Sequence, residues 1–376
     1  MNFRLNYCFL SFLLMFNVFA EKKADFVENT IKTKEVIFGQ TGTLSGHLGL
    51  YGNLIKNAIN ACFNRINESG GVNGYKLRLE SLDDHGDPVL AKKNIISLLR
   101  DNKIDMFLGC TGTRSVLGVL PMIKSKKIAM LFPWAGHSSL RDPSLSNIVN
   151  GLGDLQPQLE MIAENVVKQR KLKKIAIFHA DDDFSVDAAN SFETILQSYG
   201  VQPTSKASYN RMTVDVVTSA EKLLVADPKV VVCISTSMPA VKLIEQFFKR
   251  GHYATEFVGV DSTLFVGDIL KDKGAHFSFS SCVPDPRLDQ SAVATQYRQD
   301  IDKYYPNDSY NILSFSYYIS ALIIVEAIKN IKGDITKEAV LGQIEALKVF
   351  DIGGFTINFD ATTRHAFGMS ISIING

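Results

Sequence analysis

The sequence predicts an α/β protein of two packed units, with parallel sheets covered by helices on both faces. Three observations carry that prediction. Short apolar runs alternate with helical patterns along most of the chain, and each crossover between parallel strands needs a helix. The run Val230-Val231-Val232-Cys233-Ile234 is apolar without interruption, as suits a strand buried on both faces. The chain has 376 residues, 46% of them apolar, which is enough for two cores.

At the amino terminus, Arg4 precedes an almost unbroken apolar stretch from Tyr7 to Phe19, and Ala20 stands before the polar Glu21-Lys22-Lys23. This pattern predicts a signal peptide over residues 1–20 and hence export, although Val18 fits the small-residue cleavage rule only moderately. An uncleaved anchor is the alternative, and the segment is short for a span. Cys8 precedes most of the apolar stretch, so it is badly placed for a lipid-modified mature terminus. Residues 21–34 read as a polar leader.

Glu35 to Gln40 reads as the first strand, followed by the glycine-rich Thr41-Gly42-Thr43-Leu44-Ser45-Gly46. Leu54, Ala58, Ala61 and Cys62 recur at helical spacing within 51–67. Tyr75 to Glu80 is strand-like, a helix follows Pro88, and another strand ends at Gly109. Further strand and helix signals fall at 114–131, 159–179, 184–208, 215–235, 238–260 and 263–282. Asp227-Pro228 makes a turn before the central apolar run. Ile312 to Ile328 is strongly apolar, but Ser314, Ser316 and Ser320 interrupt it, and Glu326 and Lys329 close it. It reads as a buried helix rather than a membrane span.

Charge and motif content exclude several function classes. With 40 basic and 39 acidic residues the net charge is +1, which argues against a nucleic-acid groove. Lys168, Arg170, Lys171, Lys173 and Lys174 precede the apolar Ile175-Ala176-Ile177-Phe178 and read as a solvated helix end. Past the export segment, Cys62, Cys110, Cys233 and Cys282 do not form a dense disulfide pattern, so buried thiols and bridges both stay open. The seven histidines are scattered, and neither a metal-binding HExxH nor a Gly-x-Ser-x-Gly elbow occurs. No catalytic residue, metal site or cofactor is expected. Asp83, Asp84, His85 and Asp87 read as a strand-ending loop before a capped helix. Asp181-Asp182-Asp183 reads as a polar turn or cleft, with a cation site as the weaker alternative.

Two turns are candidate ligand surfaces. Gly42-x-x-x-Gly46 lacks the residues of a nucleotide loop, yet it can expose backbone donors after the first strand; a purely structural turn is the equal alternative. Thr111-Gly112-Thr113-Arg114-Ser115 gathers hydroxyls, amides and a guanidinium at a strand-to-helix transition. Such a transition can hold a carboxylate, and simple helix capping is the alternative.

Residues 39–143 resemble the amino-terminal half of the type I periplasmic solute-binding proteins, in the branched-chain amino acid and amide branch. The resemblance lies in Thr43-Leu44-Ser45-Gly46, Tyr51-Gly52, Asn67-Glu68-Ser69-Gly70-Gly71-Val72-Asn73-Gly74 and Asp83-Asp84-His85-Gly86-Asp87-Pro88. It continues through Gly109 to Ser115 and Phe132-Pro133-Trp134-Ala135-Gly136. A more distant similarity covers about residues 35–376. It implies two three-layer Rossmann-like lobes with parallel central sheets, joined by three crossovers. Lobe I would hold 35–153 and 284–352, and lobe II 154–283 and 353–376. Gly151-x-Gly153, the Pro284/Pro286 region and Gly353-Gly354 would be the crossings.

The resemblance also implies a site. Thr113 would sit near a ligand carboxylate with Ala135 and Gly136 supplying backbone groups, and Asp261 would accept a ligand ammonium from the opposing lobe. Tyr51 and Trp134 would give aromatic walls, Phe184 would project from lobe II, and Arg114, Ser115 and Ser237 complete the expected ligand set. Some features depart from the branch: Ser237-Met238-Pro239 lacks the aromatic residue expected near Ser237, and Arg114 is bulky where relatives carry small hydroxyl residues. These departures weaken leucine, isoleucine or valine as the ligand and leave room for amides, polar amino acids or carboxylates. The expected partners are a small polar ligand and a membrane ABC permease, with a periplasmic location, no nucleic acid and a monomer favoured. A sensing receptor for a separate membrane protein is the alternative, and a hydrolytic enzyme a remote one.

Overall fold

The computed structural model describes residues 34–151, 155–360, 362, 364–368 and 372–375. The export segment 1–20, the leader before Lys34 and the crossing residue Gly153 lie outside the described residues.

Lobe I starts with β1 (Lys34–Gly42), α1 (Gly49–Glu68), β2 (Tyr75–Asp83), α2 (Pro88–Asp101) and β3 (Met106–Leu108). It continues with α3 (Thr113–Gly118), α4 (Leu120–Lys124), β4 (Ala129–Leu131) and β5 (Ile148–Val149). The sheet order is β2-β1-β3-β4-β5, parallel throughout. Each expected strand and helix of this half is present; β1, α1 and β2 run past the ends the sequence pattern marked, and β3 stops at Leu108 rather than Gly109. Asp87 caps α2 by accepting from the Val89 amide, and Pro88 fills the first helical position, where a missing N–H costs nothing.

Lobe II follows with α5 (Leu155–Ala163), β6 (Ile175–Ala180), α6 (Asp183–Ser198), β7 (Ser205–Tyr209), α7 (Val217–Val225) and β8 (Val230–Ile234). Then come α8 (Ser237–Lys249), β9 (Glu256–Gly259), α9 (Val266–Leu270) and β10 (Phe277–Ser281). Every residue of β6 and β8 is buried, and these strands pair in parallel at the sheet centre. Aliphatic side chains alternate between the two faces, which is why the Val230 run carries no polar residue.

The chain then returns to lobe I through α10 (Ala292–Tyr304), α11 (Ile312–Lys329) and α12 (Lys337–Leu347). Helix α11 is long and apolar enough to cross a membrane, but most of it is buried against α1 and α12. Its apolarity serves the core.

The end of the chain departs from expectation. Residues 353–376 do not act as one lobe II segment, and Gly353-Gly354 is not a crossing. These glycines have φ of +63 and +93 and make the turn of a hairpin between β11 (Val349–Asp351) and β12 (Thr356–Asp360). The Ile352 amide donates to the Phe355 carbonyl across it. Ile357 and Phe359 alternate inward and pack with α12, the period-two signature of a half-buried antiparallel strand. β13 (His365–Gly368) extends the hairpin, and only β14 (Ser372–Asn375) joins the lobe II sheet, antiparallel to β10. The full lobe II order is β14-β10-β9-β8-β6-β7.

Candidate functional site

In both sheets the chain runs first to one side and then to the other. The reversal lies between β1 and β3 in lobe I and between β6 and β8 in lobe II. Loops leaving the carboxyl ends of strands at such points diverge and open a crevice. The two crevices face one cavity of about 470 Å³, within the ~300–1,000 Å³ range of small-molecule sites.

On the lobe I side, Gly112 takes φ of +94 and turns the chain from β3 into α3, a conformation other residues enter at a cost. This seats Thr113 at the helix start, buried, with its Oγ1 accepting from the Gly136 amide at 3.3 Å. Pro133 to Gly136, after β4, form the adjacent wall. Arg141 Nη1 donates to the carbonyls of Gly136 at 2.7 Å and His137 at 3.0 Å, holding that loop in place. Ser316, Tyr317 and Ser320 of α11 close the lobe I side.

On the lobe II side, Asp182 caps α6 by accepting from the Ser185 amide at 2.8 Å, and its other oxygen takes Arg211 Nη1 at 2.7 Å. Ser235 and Thr236 follow β8, and Asp261 follows β9. Buried Gln158 accepts the Asp261 amide at 2.8 Å and the Ser280 hydroxyl at 2.9 Å, which sets the backbone carrying the acid.

The lobes meet across the cavity. Tyr51 Oη donates to the Ser262 carbonyl at 3.1 Å and accepts from the Ser237 amide at 3.2 Å, while its ring stacks on Trp134 with centroids 5.3 Å apart. Burial raises the Tyr51 phenol above its ordinary range, so the hydroxyl stays protonated and can donate. Phe184 packs onto Gly136 so closely that a Cβ there would stand 2.1 Å from its ring. At the rim, Ser138 donates to Asp187 through both its amide and its hydroxyl.

The cavity gathers seven of the residues expected from sequence: Tyr51, Thr113, Trp134, Ala135, Gly136, Phe184 and Asp261. Three others stand apart from it. Arg114 points to solvent on the outer face of α3. Ser115 is buried and bonds Asp84, whose carboxyl is pushed up by burial against those hydrogen bonds. Ser237 lies behind Tyr51, accepting the Phe265 amide. The Gly42–Gly46 loop does not line the cavity either; Thr43 and Leu44 bond Asp84 and Asp83 within lobe I. Among the described residues no cluster suits a metal ion, and Asp181 and Asp182 are engaged by Asn210 and Arg211.

Sequence reasoning missed Arg141, Tyr209, Arg211, Lys242 and the α11 hydroxyls, while the Asp181–Asp183 turn, read as a turn or cleft, does bring Asp182 to the wall. The serines had a signal: Ser316 and Ser320 lie four apart in a largely apolar helix, and so share one face. Arg211 and Lys242 had none, since each is an ordinary loop or helix cation until the fold brings them to the cavity.

The family model described as periplasmic binding protein matches residues 35–373. The chain belongs to the periplasmic binding protein family. Its relatives include the Leu/Ile/Val-binding protein BraC3 of Rhizobium johnstonii, 26% identical over 167 residues, an alignment covering 44% of this chain and 45% of that protein. The chain therefore spans just under half the length of that relative. A longer alignment, to Leu/Ile/Val-binding protein homolog 7 of Brucella melitensis, is 23% identical over 323 residues and covers 80% of this chain and 78% of the relative. In fold, the binding protein superimposes on a Rhodopirellula baltica SH 1 structure described as a possible leucine/isoleucine/valine-binding protein. The TM-score is 0.81 at 22% identity, over 92% of this chain and 95% of that one. The family match and the superposition together give the family and its two-lobed α/β fold.

Proposed function

We propose that the protein is the extracytoplasmic receptor of an ABC importer, capturing a small amino acid, amide or related polar solute by closure of its lobes. One observation carries the reading: Thr113 and Asp261 line a single cavity from opposite lobes. Thr113 Oγ1, which accepts the Gly136 amide, keeps its own proton as an uncharged donor suited to a carboxylate. Asp261 is a carboxylate suited to an ammonium. Trp134, Tyr51 and Phe184 offer ring faces to the part between, with Ala135 beside them. Ser237 takes a supporting place in this scheme by seating Tyr51, while Arg114 and Ser115 stay outside the cavity. A ligand touching both lobes binds the closed state better and shifts the balance toward it.

In the same reading, residues 1–20 direct export and are removed, leaving Glu21 near the mature terminus. Intact-mass measurement of the native protein checks this, and retention of residues 1–20 would overturn it. The receptor role is tested by calorimetry of the mature protein with a panel of amino acids and amides, followed by recovery of the bound compound. Stoichiometric binding of an unchanged solute, lost in Asp261→Asn and weakened in Thr113→Val, is the expected result. Turnover of the solute by pure protein, or unaltered affinity in both folded variants, would contradict it.

A further inference from the structure

The lobe II wall extends well beyond Asp261. Its strands run β7, β6, β8, β9 across the sheet, so the carboxyl end of β7 stands three strand spacings, about 14 Å, from that of β9. A small zwitterion held between Thr113 and Asp261 leaves the β7 end of the cavity to whatever the ligand carries further out. That end carries two cations, with Asp182 paired to one of them. Arg211, just past β7, and Lys242, on α8, both line the cavity there.

The local bonding holds both cations in place and leaves each with donors to spare: Arg211 pairs with Asp182 through a single N–H, and Lys242 has only a neutral partner. The Asp182 bond engages one of the five N–H donors of Arg211, and Asp182 is already committed to capping α6. Lys242 Nζ donates to the Val214 carbonyl at 3.3 Å, a neutral partner. Val214 itself holds φ of +53, a costly conformation for a β-branched residue, and its amide donates to Asn210 at 2.9 Å. The loop that carries Arg211 is thereby pinned against the helix that carries Lys242. An aliphatic side chain placed here would strip water from two cations and return nothing.

We infer that Arg211 and Lys242 form a distal anion subsite, so that the ligand is an amino acid whose far end carries a carboxylate or comparable anionic group. This rests on the amino-acid reading above and goes beyond it in naming the ligand's second charge. A carboxylate at that end gains charge-assisted bonds from both cations, where the isosteric amide gains weaker ones.

The matched probes are L-glutamate and L-glutamine, with L-aspartate, L-asparagine and L-leucine, measured by calorimetry on the mature protein. An acidic amino acid should bind at least about tenfold more tightly than its amide, a margin one charge-assisted hydrogen bond can supply. In Lys242→Gln and in Arg211→Gln that acid-over-amide ratio should fall toward one. Lys242→Gln serves where Arg211→Gln unfolds for want of the Asp182 pair. Tighter binding of leucine or of the amides, or an acid-over-amide ratio unchanged in Lys242→Gln, would overturn the subsite while leaving the receptor reading standing. No binding by any of the five amino acids would likewise overturn the subsite, while the receptor reading falls only if the wider panel of amino acids and amides also fails to bind.

Discussion

Lobe I meets the cleft chiefly with neutral donors and rings, whereas lobe II brings all but one of the charged residues that line it. Thr113, Trp134 and the Gly136 backbone stand on one side; Asp182, Arg211, Lys242 and Asp261 stand on the other. Arg141 is the lobe I exception, and it donates to two backbone carbonyls of its own loop. Neutral donors at a strand-to-helix turn are fixed by the backbone and need no counter-charge. Charged side chains are stable in water while the cleft is open and are desolvated on closure, so they favour closure only around a ligand that pairs with them. On this account lobe I anchors the ligand and lobe II selects it.

The largest effect should come from the selecting side. Asp261→Asn should weaken binding of an amino acid by ~2–5 kcal/mol, the loss expected when one partner of a buried charged pair is removed. Thr113→Val, on the anchoring side, should lose only about 0.5–1.5 kcal/mol, because neighbouring amides share its task. Calorimetry on the same ligand checks both, and equal losses would break the contrast.

Next comes the contact that lets the two sides meet. A Cβ at Gly136 would fall 2.1 Å from the Phe184 ring, so Gly136→Ala should weaken binding by about 1–3 kcal/mol through overpacking at the closed interface. The double variant Gly136→Ala, Phe184→Ala should recover part of that loss. An unchanged Kd in Gly136→Ala would show that the lobes need not approach this closely.

A smaller effect is expected from Tyr51, whose hydroxyl bonds lobe II rather than facing the ligand. Tyr51→Phe should open the ligand-free protein, seen as a larger radius of gyration in solution scattering. It should also cost roughly 1 kcal/mol of ligand affinity, the net worth of a hydrogen bond. An unchanged ligand-free envelope would assign the hydroxyl a role other than holding the lobes together.

The smallest expected effect is none. Cys62 and Cys110 in lobe I and Cys233 in lobe II are buried thiols outside any disulfide. Burial pushes the Cys62 and Cys110 thiols up to about 12, and Cys233 likewise upward. Reductant should leave Tm unchanged, and the native protein should resist thiol alkylation at pH 8. A fall in Tm on reduction would point to a bridge instead.

The same contrast explains what the sequence made legible. The alternating strands and helices were readable because burial dictates period: β8 had to be apolar throughout, and α1 had to repeat its apolar face. The Thr111 to Ser115 turn stood out because its hydroxyls and amides fall at a strand-to-helix transition, whereas Pro133 to Gly136 entered only through the family resemblance. Arg211 and Lys242 come from a loop and a helix that meet only in the folded lobe, through the Val214 carbonyl. No local pattern marks such a pair. The hairpin at Gly353-Gly354 was misread for a related reason, since a glycine pair serves a tight turn and a crossing equally well and only the partner strand decides.

Trp134 is the only tryptophan in the chain, and it lies in the cavity wall stacked on the Tyr51 ring. Its emission therefore reports the cleft directly. Titrating the mature protein with an amino acid that calorimetry shows to bind should shift Trp134 fluorescence with the same Kd, as ligand and both lobes come together around the indole. Calorimetric saturation with no change in Trp134 emission would contradict binding between the lobes.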